Sequence, residues 1–144
     1  MKNLLWMSLI VLAGCSADVR RFVPPTADLT HMAHLVALSD PAGTLLHSGG
    51  YFLFITSVDG KWSKNDWELR EIPSDVYLTP GTHQFRVLYR HTGLTASARF
   101  EIAAKEGTTY YIHRHTGAYG IQFWLTEGKE DGPRVGELLP TGNN

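Results

Sequence analysis

Seven histidines in a chain of 144 residues make metal binding the first chemistry to consider. His31 and His34 have H-x-x-H spacing, which puts the two rings on opposite faces of a strand and lacks the glutamate of the H-E-x-x-H zinc motif. His113 and His115 would share one face of a strand, but no neighbouring carboxylate or thiolate completes a ligand set. The histidine pattern therefore predicts no metal site.

A tetrapeptide that occurs twice offers a second kind of site. Arg-His-Thr-Gly closes two predicted strands, at residues 90–93 and 114–117. If the four strands around these turns form one up-and-down meander, both turns lie at the same end of a sheet, about 10 Å apart. Their donors would then gather around an anion or an acidic partner. The simpler alternative is a polar turn sequence used twice. The candidate binding residues are Arg90, His91, Thr92, Arg114, His115 and Thr116.

Two tryptophans lie close together in a polar stretch, at residues 59–67. Trp62 and Trp67 stand there among aspartate, lysine, serine and asparagine. Exposed tryptophans stack on sugar rings or contact protein partners. Alternatively, the two rings fold back and close the open end of a β-sandwich. Neither interpretation involves catalysis.

Motifs for covalent or acid–base catalysis are missing from the sequence. There is no G-x-S-x-G turn, and no glycine-rich phosphate loop follows a strand and opens a helix. Glu130 and Asp131 fall in a glycine-rich stretch and resemble solvated loop charges. The sequence predicts no enzyme activity and no cofactor, so a histidine- or metal-dependent enzyme is the least supported of the hypotheses.

The N-terminus indicates export and lipid attachment. Lys2 precedes a short apolar run that ends in Leu-Ala-Gly-Cys, with the only cysteine of the chain at position 15. This segment resembles a bacterial lipobox, which implies cleavage before Cys15 and acylation of that residue. The alternative is an ordinary secretory signal followed by a free thiol. We predict a lipoprotein signal peptide at residues 1–14, and a lipidated cysteine with a flexible linker containing a Pro-Pro pair at residues 15–30.

Composition bears on partners and on the destination of the protein. The 13 Lys and Arg are balanced by 14 Asp and Glu, and no block of like charge occurs. This balance argues against nucleic acid as the partner and against a polybasic membrane-binding surface. Membrane attachment is expected through the acyl chains. Ser16 stands where an aspartate would resemble the inner-membrane retention signal of enterobacteria, which favours the outer membrane over the inner membrane.

The pattern of apolar and polar residues predicts β-strands in the remaining chain. Residues 51–58 are apolar on both faces, whereas residues 83–91 and 96–103 alternate between apolar and polar side chains. Residues 108–115 and 120–126 add further strands, and turns separate the segments. The fold class predicted is all-β, with a single antiparallel β-sandwich of about seven strands at residues 31–144 that ends in a flexible C-terminal tail.

Two stretches carry a resemblance to a family. Residues 76–87, with Thr-Pro-Gly-Thr before a strand, and residues 103–112, with Lys-Glu-Gly-Thr before another, resemble PEGA-like and related small transthyretin-like sandwich modules. The likeness covers roughly residues 35–125. It implies a small sandwich and an envelope location, and it implies no catalytic residues.

The sequence thus favours a non-enzymatic lipoprotein of the outer membrane that faces the periplasm and binds or scaffolds another envelope component, which includes an envelope protein partner. A second hypothesis is a small module for an anion or a glycan, with the Arg-His-Thr-Gly turns or the tryptophan loop as its contact surface.

Overall fold

A computed structural model describes residues 19–40, 50–63 and 72–140. These ranges contain one turn of 3-10 helix (Leu29–His31) and ten strands. The strands are β1 (Ala33–Ala37), β2 (Phe52–Val58), β3 (Lys61–Trp62), β4 (Asp75–Leu78), β5 (Gly81–His91), β6 (Leu94–Ala104), β7 (Thr109–Gly117), β8 (Gly120–Glu127), β9 (Arg134–Val135) and β10 (Glu137–Leu139). The signal peptide, Cys15 and Trp67 lie outside the described residues. In the described ranges no helix has the length and hydropathy needed to cross a bilayer.

The strands form two five-stranded sheets, which confirms the predicted all-β sandwich. The first sheet has the order β4-β1-β7-β8-β9 and the second has the order β10-β6-β5-β2-β3. Neighbours are antiparallel except for β1 and β7, which run parallel. The strand number exceeds the predicted seven because β3, β9 and β10 contain only two or three residues each and carry little periodicity.

Alternating side chains explain why the sheets pack face to face. Phe85, Val87 and Tyr89 on β5 point into the sandwich, and the residues between them point outward. The same rule applies to β6 and β7, so both sheets contribute to one apolar core. Fully buried members of this core include Leu35, Leu53, Ile55, Val76, Val87, Tyr110, Ile112 and Leu125. Burial of these side chains is the main source of stability.

The chain passes from the first sheet to the second at Gly136, between β9 and β10. Its φ is +77°, and a Cβ there would lie 2.8 Å from Ile102 Cγ2 and 3.1 Å from the Glu101 carbonyl oxygen. Only glycine combines this conformation with so close an approach. The crossing places β10 against β6 and brings the stretch predicted as a flexible tail into both sheets.

Part of the predicted linker contacts the sandwich. The Val19 carbonyl accepts a hydrogen bond of 3.0 Å from the Tyr77 amide, and Val23 is buried with 6% of its surface exposed. Arg21 Nε donates to the Trp62 carbonyl at 2.9 Å. The described segment from residue 19 therefore closes one end of the sandwich, at the turn of residues 105–108. We call this end the anchor end.

Candidate functional site

The two Arg-His-Thr-Gly turns lie in different sheets. The first joins β5 to β6 in the second sheet, and the other joins β7 to β8 in the first. The expected four-stranded meander is therefore wrong, because the turn at residues 105–108 carries the chain from one sheet to the other. Both hairpins still lie at one end of the sandwich, opposite the anchor end. We call it the hairpin end.

Equivalent residues of the two turns point in opposite directions. His91 lies on the inward-facing row of β5, and its Nδ1–H donates to the Gly50 carbonyl at 2.8 Å. The corresponding His115 is exposed on the outer face of the first sheet. Arg90 points outward, whereas Arg114 continues the inward-facing row of β7. The repeated tetrapeptide therefore does not gather matched donors around one ligand.

Arg114 is held by aromatic faces rather than by a carboxylate. Its Cζ lies 3.6 Å from the ring centre of Tyr51 and 5.3 Å from that of Tyr89. Nη1 donates to Thr116 Oγ1 at 2.7 Å, while the buried Nε has no hydrogen-bond partner in the described part of the chain. Cation–π contact compensates this partly buried charge and ties the two sheets together. Thr92, by contrast, is an exposed turn residue with a φ of +32°.

Most described histidines have structural partners. His34 donates to Asp75 and stacks on Tyr77, with 4.4 Å between ring centres. His83 lies between the Asp59 carboxylate and the Thr79 carbonyl. In the described ranges no three His, Cys, Asp or Glu side chains come together as metal ligands.

Two histidines have shifted pKa values. A hydrogen bond that His31 donates to the Glu106 carboxylate raises the pKa of His31, which lies on the surface at the anchor end. Burial lowers the pKa of His113, which donates to Thr126 Oγ1 at 2.9 Å and stacks on Trp124. Both rings have partners that explain their positions without a ligand.

Trp62 has a different environment. It lies on β3, at the edge of the second sheet, and half of its surface is exposed. Its ring is on the outer face of the sheet, with the Cζ of Arg86 at 5.7 Å from the ring centre. The ring therefore does not close the end of the sandwich, where Phe22 and Val23 pack instead.

Next to Trp62, two arginines face each other across neighbouring strands. Arg86 on β5 is directly opposite Arg99 on β6. Arg99 donates to Gln84 Oε1 at 3.3 Å, and neither guanidinium contacts a carboxylate among the described residues. Gln84 Nε2 in turn donates to Glu101 at 2.8 Å, so the amide of Gln84 lies between Arg99 and this carboxylate. Like charges opposite each other on a sheet destabilise it.

These side chains surround a shallow surface cavity of about 190 Å³. Trp62, Gln84, Arg86 and Arg99 contribute its polar and aromatic wall, and we call them the Trp62–arginine patch. The alternation of β5 and β6 predicts outward arginines, but it does not show that two of them are opposite each other. That pairing depends on the register between the strands, so sequence reasoning missed Arg86 and Arg99 as site residues.

The chain matches no known family model, and neither curated proteins nor solved structures include a significant match to it.

Proposed function

We propose that this chain is a non-enzymatic lipoprotein of the cell envelope, anchored in the outer membrane through Cys15, and that it binds an anionic ligand through the Trp62–arginine patch. The observation that carries the proposal is the arginine pair, which contacts no carboxylate among the described residues. Two guanidinium groups held opposite each other repel, and an anion between them removes that repulsion.

The chemistry of the patch restricts its ligand. Arginine presents planar forks of N–H donors that match the oxygens of a phosphate or a carboxylate. The exposed ring of Trp62 adds an apolar surface beside these forks, suited to the carbon skeleton of a charged molecule. Gln84 accepts a hydrogen bond from Arg99 and donates one to Glu101, so it positions Arg99 beside the cavity. The ligand class is therefore an organic phosphate or carboxylate rather than a bare inorganic ion.

The absence of enzyme activity is part of the same proposal. His34, His83, His91 and His113 are engaged by Asp75, by Asp59 and Thr79, by Gly50 and by Thr126, respectively. These hydrogen bonds explain each ring as a structural group. A binding protein needs no more than the patch and the anchor.

The experiment uses the chain from residue 15 with Cys15→Ala, so that no lipid interferes. Glycerol phosphate and a short galacturonate oligomer serve as probes, and side-chain Nε–Hε resonances of the arginines are followed by NMR. We expect the resonances of Arg86 and Arg99 to shift with a saturable dependence on at least one probe. The double substitution Arg86→Gln with Arg99→Gln should abolish the binding.

Arg134→Gln provides the matched control, because Arg134 is an exposed arginine on the outer face of the other sheet. Its substitution should leave the affinity unchanged. Equal shifts of every exposed arginine, or no saturable shift at Arg86 and Arg99 with either probe, would show that the patch is not a site for a soluble anion.

A further inference from the structure

The described N-terminal segment fixes which part of the sandwich lies nearest to the lipid. Val19 pairs with Tyr77 on β4, and Arg21 bonds to Trp62 on β3, so the segment follows the edge where β3 and β4 lie. Three residues separate Cys15 from Val19, so their Cα atoms are four residue steps and at most about 14 Å apart. A membrane that holds acylated Cys15 is therefore close to this edge.

The outer faces of both sheets begin at this edge, and that of the second sheet presents exposed aromatic rings. Trp62 stands at the edge itself, and Phe52, with 45% of its surface exposed, projects from β2 on the same face. Phe52 stacks on Phe54, with 5.9 Å between ring centres. Aromatic side chains therefore extend along this face from Trp62 towards the hairpin end.

This face carries both arginines and glutamates. Arg86 on β5 and Arg99 on β6 are opposite each other, and Arg90 lies further along β5, next to the hairpin turn. Glu101 is two residues from Arg99 on β6 and accepts a hydrogen bond from Gln84, and Glu137 lies opposite it on β10. The face thus combines exposed aromatic rings with three arginines that contact no carboxylate among the described residues.

We infer that the anionic ligand of the Trp62–arginine patch is the headgroup layer of the same membrane that holds the acylated Cys15, so that the protein lies with the outer face of its second sheet against anionic phospholipid. The inference rests on the proposed function. Tryptophan and arginine are suited to the headgroup region, where one side of the ring is apolar and phosphates accept hydrogen bonds.

The distribution of aromatic residues favours a membrane over a soluble acidic saccharide. A saccharide needs one platform beside the arginines, and Trp62 supplies it. Phe52 lies opposite Arg90, which is four residues from Arg86 along β5. A saccharide bound beside Trp62 would give the exposed Phe52 ring no role. A flat headgroup layer uses both aromatic positions and all three arginines at once.

The experiment exploits the single cysteine of the chain. The described fold begins at Val19, so the chain from residue 15 retains all of its described contacts. It is coupled through Cys15 to a maleimide lipid in vesicles of phosphatidylcholine, with or without phosphatidylglycerol. Quenching of tryptophan fluorescence by brominated lipid chains then reports contact with the bilayer.

We expect quenching in the vesicles that contain phosphatidylglycerol and little in phosphatidylcholine alone. Trp62→Phe should remove most of this quenching. Trp124→Phe, which changes a tryptophan on the outer face of the first sheet, should leave it. Arg86→Gln with Arg99→Gln should shift the equilibrium away from the membrane roughly 30-fold, at about 1 kcal/mol for each arginine near an anionic surface.

Quenching that is equal with and without phosphatidylglycerol, or that survives Trp62→Phe, would overturn the inference. Saturable binding of a soluble probe to the patch without quenching would also overturn it, while the proposed function would stand. If neither soluble probe nor membrane engages Arg86 and Arg99, both proposals fail.

Discussion

The outer faces of the two sheets differ in how their polar and aromatic groups are used. On the first sheet, Trp124 is stacked between His113 and Arg134, at 5.2 Å and 4.7 Å. On the second sheet, Trp62 is half exposed, and the arginines beside it face each other and contact no carboxylate in the described ranges. On the first sheet the aromatic and charged side chains therefore pack against each other. On the second sheet Trp62 and the arginines remain accessible to a ligand.

The charge of one outer face cannot be read from the composition of the whole chain. The nearly equal numbers of acidic and basic residues indicate no charged surface. The fold nevertheless places Arg86, Arg90 and Arg99 on one outer face, with Arg86 opposite Arg99. A balanced sequence can therefore carry a locally positive face, because the balance is reached over the whole surface.

The largest effect is expected where the chain joins the two sheets. Gly136→Ala puts a Cβ 2.8 Å from Ile102 Cγ2 at a φ of +77°, so it should lower the free energy of unfolding by about 3 kcal/mol. Gly128→Ala is the control, because its φ is +79° but no atom lies within 4 Å. It should cost about 1 kcal/mol.

Urea unfolding followed by far-UV circular dichroism and by tryptophan fluorescence measures both variants. A single shared transition is expected for each, because the two sheets bury one core. Two separate transitions would show that the outer faces belong to units that unfold independently.

A pair of tryptophan substitutions tests the contrast between the faces directly. Trp124→Ala removes a ring packed between two partners and should lower the free energy of unfolding by about 2 kcal/mol. Trp62→Ala removes a half-exposed ring and should cost less than about 1 kcal/mol. Ligand binding should respond in the reverse order, with loss in Trp62→Ala and none in Trp124→Ala. Equal losses of stability would remove the distinction between the two faces.

Arginine substitutions should change stability with opposite signs on the two faces. Arg99→Thr removes one of two opposed guanidinium groups and should raise the free energy of unfolding by about 0.5 kcal/mol at low salt. Arg134→Thr removes a cation over the Trp124 ring and should lower it by about 0.5 kcal/mol. Chemical unfolding at low and high salt separates the two cases, because screening weakens the repulsion between Arg86 and Arg99. A loss of stability in Arg99→Thr would mean that the pair is not strained.

The sequence predicts the fold more fully than the site. Alternation on β5 and β6 is visible directly, since inward and outward residues differ in polarity. The turn at residues 105–108 resembles any hairpin, so its passage between sheets depends on the packing of the whole core. The opposition of Arg86 and Arg99 depends on register, which pairs residues far apart in sequence. Trp62 is singled out by its type, and its arginine neighbours are not.

The smallest effect expected is a pH dependence that differs between the first outer face and the anchor end. Burial lowers the pKa of His113, so its protonation favours the unfolded chain. Stability should therefore be complete above about pH 6.5, the ordinary histidine value, and fall as the pH drops through the folded pKa. The Glu106 contact raises the pKa of His31, so its contribution should be complete below about pH 6.5 and be lost as the pH rises through the folded pKa.

Thermal unfolding over a pH series at constant ionic strength separates the two histidines. His113→Gln should flatten the acidic side of the profile, because the glutamine amide does not titrate. His31→Gln should flatten the basic side and leave the acidic side as it is. Because His31 is exposed and its pair with Glu106 is screened by solvent, its change should be the smaller. An acidic slope that persists in His113→Gln would assign the loss of stability to other groups. The packing of side chains against each other on the first outer face would then rest on Trp124 and Arg134 alone.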